Sequence, residues 1–318
     1  MNKPVLVAAE IQELLKPVAE DLSITWISVD EVTPGGDFLA IVPLLSRRIG
    51  TVEMDRIPKL KIVANLAVGY DNVDLDAAME RGITVTNTPD VLTESTADLT
   101  IALLLATARR LKEGFNLIES RSWQGWHPTQ LLGLELNGAT LGILGAGKIG
   151  QAVARRACGF GMKIHYTSRS SKPELERGTG ARRVDLAELL SSSDVISLHL
   201  PLSSETRGII SEAEFRMMKP GALLINTARG DLVVEADLVV ALSDGKLSGA
   251  GLDVFPDEPN VNRLLIEHPR VVTLPHIGSA TDWTRSAMAN LAMNNVVEVL
   301  AGRPPTTPVV VDGRVAST

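Results

Sequence analysis

Three polar residues occur near the ends of predicted strands, in surroundings that are otherwise apolar or rich in turn residues. Arg229 follows Ile-Asn-Thr-Ala, Glu258 lies in Asp-Val-Phe-Pro-Asp-Glu-Pro, and His276 lies in Leu-Pro-His-Ile-Gly-Ser-Ala. Ligands of open parallel sheets bind outside the carboxyl ends of the strands, and loops in that position carry catalytic groups. We therefore expect these side chains to share one site.

The three residue types suit the reduction of a carbonyl group. This reaction needs a hydride donor and a proton donor for the oxygen, and histidine is the usual proton donor near neutral pH. Glu258 would orient the ring of His276, and Arg229 would pair bidentately with a substrate carboxylate. Each residue alone also has a non-catalytic explanation. Arg229 could bind a carbonyl at the end of the sheet, Glu258 could be a surface charge, and His276 could be a loop histidine with all its hydrogen bonds made.

A glycine motif lies between the predicted strand Thr140–Leu144 and a helical pattern over Gln151–Ala157. In Gly145-Ala-Gly147-Lys-Ile-Gly150 the first glycine allows a tight turn. The second lets the backbone approach a pyrophosphate, and the third lets the helix pack closely on the strand. The helix N-terminus offers N–H groups to phosphates. Such glycines can be purely structural, but the flanking strand and helix favour a dinucleotide site.

The end of the next strand, Lys163–Thr167, bears on which dinucleotide binds. A site that prefers NAD has Asp or Glu about 20 residues beyond the glycines, where it binds the ribose 2′-hydroxyl. Here Ser168 and Arg169 follow the strand, and the acidic residue is missing. A guanidinium can bind a phosphate, and serine hydroxyls can add hydrogen bonds. We expect NADPH to be preferred and NADH to be possible; the alternative is an exposed, solvated loop.

Apolar strands alternate with helical patterns through most of the chain, which predicts parallel sheets. The first series comprises strands Val5–Ala9, Ile24–Val29, Phe38–Val42, Leu60–Leu66 and Ile83–Thr86, with helices Ile11–Glu20 and Leu75–Arg81. One long helical pattern, Ser95–Ile118, leads into a second series. That series has six strands and forms a doubly wound nucleotide-binding arrangement: Thr140–Leu144, Lys163–Thr167, Val195–Leu200, Ala222–Asn226, Ala250–Val254 and Val271–Thr273. A last helix covers Trp283–Ala301.

Composition and charge exclude several classes of protein. The 318 residues suffice for about two domains, and a net charge of −7 without a basic stripe makes nucleic acid an unexpected partner. Cys158 is the single cysteine, so no disulfide can form within the chain, which fits a reducing compartment. We expect Cys158 to be a small buried residue. Apolar runs such as Ile101–Ala106 are far shorter than the roughly 20 residues of a membrane span. We expect a cytoplasmic protein.

Four motifs resemble the signatures of the D-isomer-specific 2-hydroxyacid dehydrogenases, in the same order and over nearly the whole chain. They are Gly145-x-Gly147-x-x-Gly150, Asn226-x-x-Arg229-Gly230, Gly251-x-Asp253-Val-Phe-x-x-Glu258-Pro259 and Pro275-His276-Ile-Gly278. Within that family, the chain most resembles glyoxylate/hydroxypyruvate reductases and the related 2-ketogluconate reductases. This placing is supported by Trp123-x-x-Trp126-x-Pro128, Leu131-Leu132-Gly133 and the Ser168-Arg169 loop.

The resemblance implies two α/β domains. A Rossmann-type domain with a doubly wound parallel sheet would cover residues 99–282. A smaller flavodoxin-like substrate domain would cover residues 1–98 and be completed by 283–318. The cleft between them would close on the substrate, and the protein would be a homodimer, joined across the Ser95–Ile118 helix.

The resemblance also implies roles at the substrate. Arg229 would hold the substrate carboxylate and keto oxygen, and His276, with Glu258 as its partner, would be the acid/base. The backbone N–H groups of Val68 and Gly69 would take the carboxylate. Two further contacts follow by resemblance. Leu45 would line the pocket, unless it is an ordinary core leucine, and Trp126 would cover the neighbouring subunit's cleft, unless it packs within its own subunit.

The cofactor would be bound by the glycine motif, by Ser168 and Arg169, and by Asp253, which would contact the nicotinamide carboxamide. We also assign to this site Lys148, Ile149, Leu200, Pro201, Thr206, Thr227, Ala228 and Gly278. No metal site is expected. The chain departs slightly from the family beyond Arg229-Gly230, where Glu235-Ala236 stands in place of Asp-Glu.

The function implied is NADPH-dependent reduction of a small 2-keto acid to the D-2-hydroxy acid. Glyoxylate and hydroxypyruvate are the expected substrates, with 2-ketogluconate a further possibility. Two alternatives remain open at this point. One is a dehydrogenase of the same family that acts on formate, phosphite or phosphoglycerate, and the other is a redox-sensing corepressor on the same fold.

Overall fold

A computed structural model describes residues 3–15, 22–28, 31, 33–311 and 314–315. Its strands are β1 Lys3–Ala8, β2 Leu22–Ile27, β3 Ala40–Val42, β4 Ile62–Ala64, β5 Thr84–Thr86, β6 Thr140–Leu144, β7 Lys163–Thr167, β8 Arg182–Arg183, β9 Val195–Leu198, β10 Ala222–Asn226, β11 Leu247–Leu252, β12 Val271–Thr273, β13 Val310–Val311 and β14 Arg314–Val315. Its α-helices are α1 Thr51–Asp55, α2 Leu75–Glu80, α3 Thr93–Ala108, α4 Leu111–Glu119, α5 Lys148–Cys158, α6 Pro173–Thr179, α7 Leu186–Ser192, α8 Glu212–Met217, α9 Glu235–Ser243, α10 Arg263–Glu267 and α11 Asp282–Leu300.

The chain divides into two compact units. Unit 1 consists of Met1–Leu92 and Ser279–Thr318, and unit 2 of Thr93–Gly278. Helix α3 therefore begins unit 2 with its first residue, whereas the predicted boundary lies between residues 98 and 99. The chain returns to unit 1 at residue 279, four residues before the predicted position 283.

Unit 1 contains a parallel five-stranded sheet with the order β2-β1-β3-β4-β5, which is the flavodoxin-like order. Strands β3, β4 and β5 are buried along their whole length, as is typical of parallel strands with both faces covered. The prediction of a helix over Ile11–Glu20 was wrong where it can be compared, because a 3₁₀ helix covers Ala9–Leu14. Residues 16–20, and Val29 at the predicted end of β2, lie outside the described residues.

Unit 2 contains a parallel seven-stranded sheet with the order β12-β11-β10-β9-β6-β7-β8. The order reverses between β6 and β9, the crevice where doubly wound folds bind dinucleotides. This confirms the predicted Rossmann-type fold, although we predicted six strands. The seventh, β8, was overlooked because it has only two residues, Arg182 and Arg183, and both are exposed.

The predicted single helix over Ser95–Ile118 is two helices, α3 and α4. Arg110 between them has a left-handed φ of 56°. The carbonyl of Ala108, at the end of α3, accepts a hydrogen bond from the amide of Leu134. A Cβ at Gly133 would lie 2.1 Å from that oxygen. Residues 133–134 thus occupy the place of the next helical turn. This explains why the helix breaks between Thr107 and Leu111 although no Gly or Pro lies there.

Cys158 ends helix α5 and is half-buried rather than fully buried. Burial raises the pKa of its thiol, which donates a hydrogen bond to the carbonyl of Thr179. A raised pKa disfavours the thiolate, which fits a structural residue. In the part of the chain that the structure describes, no helix combines the length and apolar character that crossing a membrane requires.

Candidate active site

The loop that carries His276 is held by Asp253, which directly follows β11. Asp253 is 1% exposed. Its Oδ1 accepts from the amide of Ile277 and its Oδ2 from the amide of Gly278, both at 2.8 Å, while its carbonyl accepts from the amide of His276 at 2.9 Å. His276 has a φ of 53°, a strained value for a residue other than glycine, which surrounding contacts must impose. Burial raises the pKa of Asp253.

His276 is paired with Glu258. The ring Nδ1 lies 2.8 Å from Glu258 Oε2, and Glu258 Oε1 accepts from the amide of Phe255 at 3.0 Å. Burial acts to raise the pKa of Glu258, but the contact with His276, the Phe255 amide and the charge of Arg229 together hold it below its usual value of 4.5. The carboxylate is therefore ionised at neutral pH. It binds Nδ1, so that Nε2 is the ring atom that can exchange a proton with a substrate.

Arg229 sits on a turn that the sequence builds after β10. The side chain of the buried Asn226 donates from Nδ2 to the carbonyl of Arg229 at 2.8 Å and accepts from the amide of Ala228 at 3.0 Å. A Cβ at Gly230 would lie 2.0 Å from the carbonyl carbon of Phe255, so only glycine lets this turn approach the Glu258 segment. The structure therefore brings Arg229, Glu258 and His276 together.

The alternatives for these three residues can now be compared with the geometry. Arg229 Nη1 does donate to a sheet-end carbonyl, that of Ala228, at 2.8 Å. A guanidinium has five N–H donors, so this bond does not exclude substrate binding. Thr227, next to it, is tied to helix α3, because its hydroxyl lies 2.8 Å from that of Thr100. Asn226 and Gly230 belong to a motif of the sequence, but their roles in shaping this turn become visible only in the structure.

The glycine motif has the geometry that a dinucleotide requires. Gly145 has a φ of +102°, and a Cβ there would lie 2.7 Å from the carbonyl oxygen of His199. A Cβ at Gly150 would lie 2.2 Å from the carbonyl oxygen of Gly145, whereas one at Gly147 would meet nothing within 4 Å. The backbone at Gly147, directly before α5, is therefore open to a ligand. Lys148 and Ile149 begin the first turn of α5, and that turn contains no acidic residue. These residues fit a pyrophosphate.

The segment after β9 lies beside this motif, because β9 pairs with β6. Leu200 is half-buried and Pro201 is exposed. The hydroxyl of Thr206 donates to the carbonyl of Pro201 at 2.7 Å and accepts from the amide of Ser203 at 2.8 Å. Thr206 thus closes the 201–206 turn and holds the carbonyl of the predicted cofactor residue Pro201.

The Ser168-Arg169 loop follows β7 and is braced by a residue that the sequence analysis missed. Arg183 of β8 donates from Nη2 to the carbonyls of Ser168 and Arg169, at 2.9 and 3.0 Å. Arg169 is exposed and Ser168 half-buried. The loop therefore carries the guanidinium of Arg169 and is held by that of Arg183. The signal in the sequence is the Arg182-Arg183 pair, but two exposed residues are too few to indicate a strand.

Of the remaining predicted site residues, Leu45, Val68 and Gly69 lie in unit 1 and are half-buried. Half-burial of Leu45 is compatible both with a residue that lines a pocket and with a leucine at the edge of the core. Trp126 lies in unit 2 and is 82% exposed. Across the described ranges of the chain, no group of three His, Cys, Asp or Glu side chains could hold a metal ion.

The chain matches known proteins over most of its length. Residues 101–278 match the family model "D-isomer specific 2-hydroxyacid dehydrogenase, NAD binding domain". A glyoxylate reductase from Thermococcus litoralis is 51% identical over 270 residues, which are 84% of this chain and 82% of that protein.

Two solved structures are similar to the fold. The TT0316 protein from Thermus thermophilus has a TM-score of 0.86 and 44% identity, and the match covers 96% of this chain and 100% of that one. An NADPH-dependent glyoxylate/hydroxypyruvate reductase from Sinorhizobium meliloti, in complex with NADP and malonate, has a TM-score of 0.86 and 34% identity, with 99% and 98% covered.

A doubly wound unit with a glycine cradle and an Arg, Glu and His at the ends of its strands defines a nicotinamide-dependent dehydrogenase. With the sequence relatives, the conclusion is specific: the chain belongs to the D-isomer-specific 2-hydroxyacid dehydrogenase family. This confirms the family that the motifs indicated, and its glyoxylate reductase branch. The enzyme is an NAD(P)-dependent oxidoreductase.

The contact between Glu258 and His276 predicts a particular acid sensitivity. Because the pKa of Glu258 lies below 4.5 in the folded protein, its contribution to stability is complete above about pH 4.5 and is lost as the pH falls through the folded pKa. We expect the free energy of unfolding to fall more steeply below about pH 4.5 in the wild type than in Glu258→Gln. Urea unfolding at stepped pH values measures this. Glu135→Gln, at an exposed residue, is the control. Equal slopes for wild type and Glu258→Gln would contradict the prediction.

Proposed function

We propose that this enzyme reduces a small 2-keto acid, glyoxylate or hydroxypyruvate, to the D-2-hydroxy acid with NADPH as the preferred cofactor. The observation that carries the proposal is the pairing of His276 with an ionised Glu258 beside Arg229. The names of the relatives support the substrate class, since several curated ones are glyoxylate reductases. The handedness of the product rests on the family resemblance.

In this mechanism Arg229 binds the substrate carboxylate as a planar fork, which fixes the keto carbon. When bound, the reduced nicotinamide supplies the hydride that C2 receives. His276 donates its Nε2 proton to the keto oxygen, which becomes the hydroxyl of the product. Glu258 stabilises the imidazolium through Nδ1 before this transfer. In the reverse direction, neutral His276 is the base that takes the hydroxyl proton.

We propose substrate contacts within unit 1 as well. The amides of Val68 and Gly69 bind the carboxylate, and Leu45 contacts the rest of a small substrate. Asp253 would hold the nicotinamide carboxamide in addition to its amide bonds, since each carboxylate oxygen can accept more than one hydrogen bond. We also propose that the enzyme acts in the cytoplasm, which the single unpaired Cys158 supports.

The preference for NADPH rests on the Ser168-Arg169 loop. The loop lacks the carboxylate that would repel a 2′-phosphate, and Arg183 holds the carbonyls of both residues. The similar enzyme from Sinorhizobium meliloti is named NADPH-dependent and was solved with NADP, which supports the proposal.

Turnover tests the substrate. The wild type is assayed with glyoxylate, hydroxypyruvate, 2-ketogluconate, formate, phosphite and 3-phosphoglycerate, each with both cofactors. We expect the highest kcat/KM with glyoxylate or hydroxypyruvate and NADPH. A higher value with formate, phosphite or phosphoglycerate would replace the proposed substrate. No turnover with any of them would favour the redox-sensing corepressor instead.

The cofactor proposal predicts the behaviour of three variants. A charge-assisted hydrogen bond contributes about 1.5–3 kcal/mol, and each 1.4 kcal/mol is about tenfold in affinity. Arg169→Ala should therefore raise the KM for NADPH roughly ten- to a hundredfold and leave that for NADH nearly unchanged. Ser168→Asp should act in the same direction through repulsion, and the double variant should favour NADH.

These variants are compared by kcat/KM for both cofactors at saturating glyoxylate. Arg177→Ala, on the exposed face of α6, is the control and should change neither value. High salt should reduce the preference for NADPH, because the loop is partly exposed. A wild type that prefers NADH, or an Arg169→Ala variant that weakens both cofactors alike, would contradict the proposal.

We propose further that two copies associate through an apolar surface on α4 and the segment after it. Its members are large, exposed and apolar: Phe115, Ile118, Trp123, Trp126 and Leu132. Trp126 would cover the partner's substrate site. Sedimentation equilibrium should give twice the 34.0 kDa protomer mass. Ile118→Glu should give the protomer mass, and Val52→Glu, equally exposed in unit 1, should not. A monomeric wild type would refute the proposal.

A further inference from the structure

Three consecutive carbonyls of the loop after β4 are fixed by donors. The carbonyl of Ala67 accepts from the amide of Thr88 at 2.8 Å. The carbonyl of Val68 accepts from Asn87 Nδ2 at 2.8 Å, and that of Gly69 from Asn65 Nδ2 at 2.9 Å. In a trans peptide the N–H points opposite to the C=O. The amides that follow, those of Val68, Gly69 and Tyr70, therefore point away from these donors.

Among the hydrogen bonds of the described residues, none is donated by the backbone N–H of Val68, Gly69 or Tyr70, although the three residues are only half-exposed. The chain bends at Ala67 and Val68, and successive N–H groups in a turn form an anion-binding concavity. The directions of the Gly69 and Tyr70 N–H groups depend on side chains elsewhere in unit 1, because Asn87 and Asn65 hold the carbonyls of the same two peptides.

Asn65 is one of the two side chains involved. It is fully buried and forms a reciprocal amide pair with Asn72: each Nδ2 donates to the other's Oδ1, at 3.0 and 2.9 Å. Asn72 also donates to the carbonyl of Arg47 at 3.0 Å. Asn65 is thus fixed in rotamer as well as position. Substituting it would leave several buried groups without partners, so it is a poor probe of function.

Asn87, the other side chain, is half-buried and is held through its backbone by the C-terminal part of the chain. Its amide donates to the carbonyl of Thr307 at 3.3 Å, and its carbonyl accepts from the Thr307 hydroxyl at 2.6 Å. Thr307 is in turn held by the buried Asn295 of α11, which donates to the hydroxyl at 2.8 Å and accepts from the Thr307 amide at 3.1 Å. The chain of contacts runs from α11 through Thr307 and Asn87 to the carbonyl of Val68.

We propose that Asn87 is a positioning residue for the substrate carboxylate, and that Thr307 and Asn295 maintain its position. Asn87 holds the carbonyl of Val68, which aims the N–H of Gly69 at the anion. The inference rests on the proposed function, since it names the groups that set the carboxylate-binding amides in place. It assigns a part in substrate binding to the C-terminal segment, which no motif of the sequence indicates.

The kinetic test compares Asn87→Ala and Thr307→Val with the wild type. Loss of one neutral hydrogen bond is worth about a fivefold change. We expect Asn87→Ala to raise the KM for glyoxylate and the inhibition constant of oxalate about five- to tenfold, and Thr307→Val about threefold. The kcat and the dissociation constant of the cofactor should change less than twofold. A merely structural role would lower thermal stability without this split between KM and kcat.

Thr306→Val is the matched control. Thr306 accepts an analogous bond from Asn294 at 3.1 Å, one residue along the same two segments, but among the described residues it is Thr307 that is hydrogen-bonded to Asn87. Its KM should equal that of the wild type. A KM for Asn87→Ala within twofold of the wild-type value, or the same rise in Thr306→Val as in Thr307→Val, would overturn the proposal.

A second readout does not depend on turnover. In protein labelled with ¹⁵N-glycine, the Gly69 amide resonance, identified by its loss in Gly69→Ala, should shift on titration with oxalate. In Asn87→Ala the titration should need about five- to tenfold more oxalate. A wild type that shows this shift but does not reduce glyoxylate would refute the proposed function and support the positioning role. No shift in the wild type, or equal titrations in both proteins, would overturn the positioning role even if glyoxylate is reduced.

Discussion

The carboxylate of Asp253 is the group on which the candidate site depends. It is buried at the end of β11, where an ionised side chain is costly unless it is hydrogen-bonded. Its two oxygens are satisfied by the amides of Ile277 and Gly278, and its carbonyl holds the amide of His276. These bonds impose the left-handed conformation of His276. Strand β11 thus sets the direction of the histidine that faces Glu258.

Close approach of backbone segments is the second constraint on the site. Gly230 lets the turn of Arg229 lie against Phe255, and Gly145 and Gly150 let β6, β9 and α5 meet at the crevice. A side chain at any of these positions would separate the elements that carry the functional groups. The glycines therefore act on catalysis through backbone position, while the chemistry resides in Arg229, Glu258 and His276.

Much of this arrangement could be predicted from the sequence. Strands β6, β7, β10 and β12 have the predicted bounds, because each is a short apolar run between clear turn or helix signals. The motifs around Arg229, Glu258 and His276 indicated one site because parallel strands end at the same edge. The break of the helix at Arg110 was not predicted, because it depends on contacts with residues 133–134. Strand β8 was not predicted, because it consists of two exposed arginines. The roles of Arg183, Asn87 and Thr307 depend on contacts between distant segments, which local pattern does not contain.

The central claim is that His276 donates the proton to the keto oxygen, and the kcat of His276→Ala in glyoxylate reduction tests it most directly. Proton transfer by a positioned side chain contributes about 10²–10⁴-fold. The account predicts a loss of kcat in that range, with the dissociation constant of NADPH changed less than twofold. The control His268→Ala, at a histidine directly after α10 that is assigned to neither the site nor the proposed dimer surface, should keep its activity. A His276→Ala enzyme that retains more than about a tenth of the wild-type kcat would contradict the account.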